Sequence, residues 1–162
     1  MKILKTDEEI RDSVKRISRD INEDFKGCFL NIIQLNSAPA LFTDLLLTHL
    51  KLTTKLHNLN FKDNDNIFFE DSLTKEFNGA NVMLTDGIII SGKTHHLICS
   101  ILNKFQPKSL SIASMGKKPK LITYNLPKCY SLFDFEDEWV TGYGIGPDEH
   151  RTKKFLFDSK NL

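Results

Sequence analysis

Apolar residues return at spacings of three and four from Ile10 through Val14, Ile17 and Ile21 to Phe25, the period of one helical face. Thr6, followed three residues later by Glu9, has the form of a capping box, so a helix is expected to start directly after Thr6. The period then changes. Cys28 to Leu35 (CFLNIIQL) has strand composition, Asn-Ser-Ala-Pro interrupts it, and the apolar stretch Ala40 to Leu50 is expected as a second helix. Leu52 to Phe61 alternates in part between apolar and polar residues, and Asn66 to Phe69 offers another short strand. The polar turn KDNDN, Lys62 to Asn66, lies between them and predicts a hairpin-like pair. Ala80 to Leu84 reads as a strand, Thr85 to Lys93 as a glycine-bearing loop, and Thr94 to Phe105 as a helix with Leu97, Ile101 and Phe105 on one face. Leu110 to Ala113 and Tyr130 to Phe133 resume as strands around the lysine-rich stretch GKKPKLITYNLP. The tail from Gly142 is turn-rich, with FLF at 155–157 as a possible edge strand.

Strands that alternate with helices argue for an α/β fold whose sheet is mainly parallel and covered on both faces. Ligands in such sheets bind beyond the carboxyl ends of the strands. With 162 residues, 40% of them apolar, the chain has the size of one domain, 1–162, with one substantial core. Charged residues make up 27% yet nearly cancel to a net charge of +1, which lacks the basic footprint of a dedicated nucleic-acid binder. No apolar run approaches the ~18–20 residues of a membrane span, and MKILKTDEEIRD turns acidic before a signal-peptide apolar region can form, so a cytoplasmic protein is expected. Cys28, Cys99 and Cys129 are widely spaced beside apolar residues and are expected as buried thiols, with no metal site built from protein ligands.

The most informative segment is VMLTDGIIISGKTHHL, Val82 to Leu97, which sets Ser91, Gly92, Lys93 and Thr94 between a strand and a helix start. Backbone amides there can hold a phosphate. Gly87 to Thr94 also satisfies the hydrolase phosphate-loop pattern Gly-x-x-x-x-Gly-Lys-Ser/Thr. Against that alternative stand three consecutive isoleucines in the loop, and later strands that end in neutral residues where a magnesium-binding aspartate is needed. A turn with a purely structural role is the third possibility.

The order Asp86, Gly87, Ile88, Ile89, Ile90, Ser91, Gly92, Lys93, Thr94 resembles the signature of the type I phosphoribosyltransferases, in which an acidic pair, two apolar residues and an acid precede Thr/Ser-Gly-x-Thr. The likeness narrows to the hypoxanthine-guanine branch. EEIRDSVKRISRDINEDFKG resembles that branch's first helix, and Leu35, Asn36 and Ser37 stand where it has the pyrophosphate-contacting Leu-Lys-Gly. SIASMGKKP resembles the segment whose lysine reads the purine O6, which falls on Lys118. WVTGYGIGPDE resembles the segment with a purine-stacking ring, placing Trp139 and Val140 there, and Arg151 lies one residue short of a pyrophosphate-contacting arginine.

This resemblance implies a parallel sheet flanked by helices, with a small hood from the N- and C-terminal segments. It further implies Ser91 to Thr94 as the cradle of a 5′-phosphate, Asp86 as a ribose contact and Mg2+ carried by pyrophosphate. The expected ligands are phosphoribosyl pyrophosphate and a purine base or purine nucleotide, and the expected assembly is a homodimer or tetramer. Taken singly, Lys118 can belong to a solvated basic loop with Lys117 and Lys120, and Trp139 can be a core anchor.

Several of the family's working positions are replaced. Gly87 takes the place of the second acid of the ribose pair, Ile90 that of the general acid/base aspartate, Gly146 that of a magnesium-holding aspartate and Asn36 that of the pyrophosphate-loop lysine. The mobile lid is shortened to KDNDN. Two functions follow: transfer of ribose 5-phosphate onto hypoxanthine or guanine, or binding of a purine nucleotide by a catalytically degenerate relative acting as sensor or partner subunit.

Overall fold

A computed structural model describes residues 1–162, apart from the side chain of Asp71. Five strands form the main sheet: β2 (Phe29–Leu35), β3 (Thr53–Leu59), β4 (Asn81–Ile89), β5 (Ser109–Lys117) and β6 (Lys128–Asp134). They run in the order β3-β2-β4-β5-β6, and every pair is parallel. A second, antiparallel sheet joins β1 (Lys2–Lys5), β8 (Leu156–Asp158) and β7 (Val140–Thr141), so the two chain ends together build the hood.

Alternation along the central strands divides the core. Leu30, Ile32 and Met83 face one side, where Ile10, Val14, Ile17 and Ile21 of α1 (Asp7–Asp24) and Phe42 and Leu46 of α2 (Ala40–His49) cover them. Ile33, Leu35, Val82 and Leu84 face the other side, under Phe77 of α3 (Asp71–Phe77) and Ile98, Cys99 and Leu102 of α4 (Lys93–Asn103). Burial on both faces is what a βαβ crossover sheet requires, and it accounts for the near-continuous apolar run of β2. The capping box of α1 is formed as expected: Thr6 Oγ1 accepts from Glu9 N at 3.2 Å, and Glu9 Oε2 accepts from Thr6 N at 2.9 Å.

The structure differs from the sequence reading in several places. No hairpin follows Leu52: β3 pairs in parallel with β2, residues Asn64–Asn66 form a 3-10 turn, and the chain then enters α3. The apolar residues after Asn66 are used as packing, since Phe69 stands edge-on to Phe77 and Phe105 with centroids 6.0 Å apart in each case. The strand expected to end at Leu84 continues to Ile89, because β5 is equally long and pairs with it to the end, Ile89 opposite Lys117. The buried face of α4 is His95, Ile98, Cys99 and Leu102, with Leu97, Ile101 and Phe105 half-buried. Leu156 and Phe157 of FLF lie in the middle strand of the hood, with Phe155 just before it, and of the cysteines only Cys99 is buried, its thiol pushed up to about 12 by burial. No helix among the described residues is long and apolar enough to cross a membrane.

Candidate functional site

Strand β4 brings Asp86 to the carboxyl end of the sheet, and a three-residue loop, Ile90 to Gly92, turns the chain into α4. Gly92 has φ 81, the left-handed region, and a Cβ there would stand 3.0 Å from Leu126 Cδ1. Only glycine fits both demands without strain. It also caps the helix without a side chain, so the first-turn amides of α4 face outward. Lys93 N–H donates to Ser91 Oγ at 3.2 Å. Unpaired amides and the positive end of a helix dipole together favour an anion.

Ser91, Gly92, Lys93 and Thr94 line a cavity of about 270 Å³, into which Leu35, Asn36 and Phe61 also turn; Ser37 does not reach it. Asn36 has φ 57 and ties two strand exits together, its N–H donating to Leu59 O at 2.9 Å and its Oδ1 accepting from Phe61 N at 2.8 Å. Thr94 Oγ1 donates to Asn64 Oδ1 at 3.0 Å, so the short KDNDN turn rests on the cradle.

A second cavity, of about 460 Å³, adjoins the first. Lys118, Trp139, Val140 and Ile145 form its walls. Asp86, Ile88 and Ile90 line both cavities. Trp139 is 69% exposed, so it is no core anchor. Its backbone is nonetheless pinned, N–H to Asp158 Oδ1 at 2.9 Å and C=O accepting from Ser159 N at 3.0 Å, which holds its Cα at the cavity rim. Lys118 is also held, its Nζ donating to Glu138 O at 2.8 Å and its N–H to Ile89 O at 2.9 Å. An ammonium has three donors, so Lys118 keeps two for a ligand. Arg151 turns its Nε onto Gly146 O at 2.7 Å and so braces this rim.

The replaced positions are integrated into the packing. A Cβ on Gly87 would stand 3.1 Å from Ile145 Cγ1, and one on Gly146 would stand 2.7 Å from Thr141 Cγ2, so neighbouring side chains fill the room of the two absent carboxylates. Ile90 is different. It is 52% exposed and projects at the junction of the cavities.

Asp86 is the one carboxylate that lines either cavity among the described residues. Its Oδ1 accepts from Gly87 N at 2.7 Å and its Oδ2 is 2.8 Å from His95 Nε2. The sequence reading passed over His95, whose signal is a histidine on an otherwise apolar helix face, nine residues after the remaining acid. It is buried, and its Nδ1 has no partner, an arrangement that costs about 1–3 kcal/mol for the orphaned atom. Among the described residues no cluster of three or more His, Cys, Asp or Glu side chains is placed to hold a metal.

The hydrolase alternative fails on this geometry. Ile88 and Ile89, inside the Gly87 to Thr94 match, belong to the β4–β5 ladder, so that stretch cannot wrap its backbone around a phosphate. A larger hollow of about 660 Å³ runs between α1 and the length of β6, and its lining includes Lys128, whose Nζ stands 2.6 Å from Asp24 Oδ2, and no residue of the loop from Ile90 to Gly92.

No family model matches the chain. It is similar to the hypoxanthine phosphoribosyltransferase of Escherichia coli K12, with 25% identity over 154 residues that cover 90% of this chain and 86% of that one. It is also similar to the hypoxanthine-guanine phosphoribosyltransferase of Mycobacterium tuberculosis, with 22% identity over 160 residues covering 91% and 79%. Among solved structures, a hypoxanthine-guanine phosphoribosyltransferase from Bacillus anthracis superposes with a TM-score of 0.88 at 23% identity, over 98% of this chain and 96% of that one. The structural likeness carries the fold, a five-stranded parallel sheet with an antiparallel hood. The sequence likeness runs over nearly the whole chain, so the protein is similar in sequence to hypoxanthine and hypoxanthine-guanine phosphoribosyltransferases and shares their fold.

Proposed function

We propose that the joined cavities hold the two ends of a purine nucleoside 5′-monophosphate, and that the protein transfers ribose 5-phosphate from phosphoribosyl pyrophosphate to hypoxanthine or guanine. The observation that carries this reading is the shared wall of Asp86, Ile88 and Ile90, which lies between an amide-lined cradle and an aromatic- and lysine-lined cavity. A base–sugar–phosphate ligand has the same order of chemistry. In this reading Ser91 to Thr94 take the 5′-phosphate, Asp86 meets the ribose, Trp139 stacks on the base, Lys118 donates to its O6 and the backbone at Val140 reads its edge. Leu35 and Asn36, which line the phosphate side, border the pyrophosphate, while Ser37 stands outside both cavities.

Transfer forms a bond from a base nitrogen to C1′, breaks the bond from C1′ to pyrophosphate and releases the base N–H proton. Mg2+ keeps several waters and binds through one or two carboxylates plus substrate phosphates. Here the ion would arrive with the pyrophosphate and, when bound, would neutralise charge on that leaving group. The chain's own part is orientation, which is worth several kcal/mol of a barrier. Ile90 cannot exchange a proton, and a placed acid/base group contributes about 10²–10⁴-fold. The exposed Ile90 side chain at the cavity junction therefore favours a second reading, a relative that binds the nucleotide and turns over poorly. Purified protein with hypoxanthine or guanine, phosphoribosyl pyrophosphate and Mg2+ decides between them: brisk release of nucleotide establishes the transferase and ends the second reading, whereas tight nucleotide binding without turnover establishes the binder.

A further inference from the structure

Asp86 and His95 make a hydrogen-bonded contact on the buried side of the site, and it belongs to neither the cradle nor the base cavity alone. Asp86 lines both cavities, and His95 lines the phosphate side. A carboxylate has only acceptor atoms, so the proton between His95 Nε2 and Asp86 Oδ2 lies on the imidazole. Gly87 N–H holds the other oxygen. One donor therefore fixes each carboxylate oxygen, and each oxygen keeps further acceptor capacity.

The contact is also the only hydrogen bond that the His95 side chain makes among the described residues. Its side chain is 6% exposed, its Nδ1 has no partner, and the rest of its helix face is Ile98, Cys99 and Leu102. A leucine would fill such a place without burying an orphaned nitrogen. Gly87, with Ile145 packed beside it, leaves no second carboxylate at the junction, so whatever a sugar ring meets there depends on how Asp86 is aimed.

Resting on the reading that Asp86 meets the ribose, we infer that His95 is a positioning residue that aims the Asp86 carboxylate at the vicinal diol of a ribosyl ligand, so that the site discriminates a ribonucleotide from one without those hydroxyls. The donor on Oδ2 and the donor on Oδ1 hold the carboxylate plane, and the free acceptor sites accept from the two hydroxyls. Without His95 the carboxylate rotates and the two hydroxyls lose a matched partner.

The test is the ratio of dissociation constants of 2′,3′-dideoxyguanosine 5′-monophosphate and guanosine 5′-monophosphate, measured calorimetrically on the full chain. In the wild type the dideoxynucleotide is expected to bind at least about tenfold more weakly, the size of a hydrogen bond to a charged group. His95→Leu brings the ratio close to one by weakening the ribonucleotide alone, and His95→Gln, whose amide can still donate to Asp86, restores it. Where His95→Leu fails to give a cooperative thermal transition, His95→Asn replaces it, since its shorter amide stops short of Asp86. A merely structural role would weaken both ligands equally and leave the ratio unchanged, which overturns the inference. A wild-type ratio near one overturns it as well, while base and phosphate recognition stand. Failure of both nucleotides to bind the wild type removes the nucleotide reading and this inference together.

Discussion

The phosphate cradle and the base cavity share a wall, yet they are made of different material. The cradle is backbone: a left-handed Gly92, a short loop and the amides of the first turn of α4. The base cavity and the junction are side chains: Lys118, Trp139, Ile90 and Asp86. A backbone cradle needs one conformation and one glycine, so its neighbours can change without loss of phosphate affinity. A side-chain site needs each identity. On the proposed reading the difference separates binding from chemistry: phosphate binding rests on backbone geometry around Gly92, whereas proton transfer would rest on a single side chain at the junction, where this chain has Ile90.

The sharpest way to break the comparison is to return the missing atom. Ile90→Asp, at an exposed position that tolerates charge, is expected to raise kcat for nucleotide formation by about 10²–10⁴-fold with little change in nucleotide affinity. No gain in a steady-state assay would mean that the chemistry is lost for another reason. Gly92→Val attacks the other region. A side chain at φ 81 against Leu126 is expected to cost about 1–3 kcal/mol of stability, read by urea unfolding, and to reduce nucleotide affinity to that of the nucleoside.

Trp139→Ala should weaken base binding by about 1–2 kcal/mol by calorimetry. Its urea midpoint should stay unchanged, because the ring is 69% exposed. The smallest effect is expected at the strap. Asn64→Ala frees the Thr94 hydroxyl from its bond to Asn64 and should tighten nucleotide binding by at most about 1 kcal/mol, whereas weaker binding would make Asn64 a ligand itself.

Much of the first half of the fold was legible because its signals are local. The capping box of Thr6 and Glu9, the apolar period of α1 and the buried run of β2 each follow from a single segment. The hood was not legible from local pattern, because β1 is four residues long and finds its partner at Asp158, at the far end of the chain. The stretch after Asn66 misled for the opposite reason: its apolar residues have strand composition, yet Phe69 is used to close a ring cluster with Phe77 and Phe105. At the site, Ser91 to Thr94 could be read along the chain as a strand-to-helix loop, while Asp86, Lys118 and Trp139 entered only through the resemblance of their segments to one family. The Asp86 to His95 bond could not, since it needs α4 folded back against β4, and neither could the use of Ile145 to fill the room beside Gly87.

The central claim is that the cradle and the base cavity, on either side of Asp86, bind the two ends of one ligand. Calorimetric titration of the wild-type chain with inosine 5′-monophosphate, and separately with inosine, tests it most directly. The account predicts a single site for the nucleotide and affinity at least about tenfold weaker for the nucleoside, the part supplied by the amides of Ser91 to Thr94. Equal affinity for the two, or binding of neither, would contradict it.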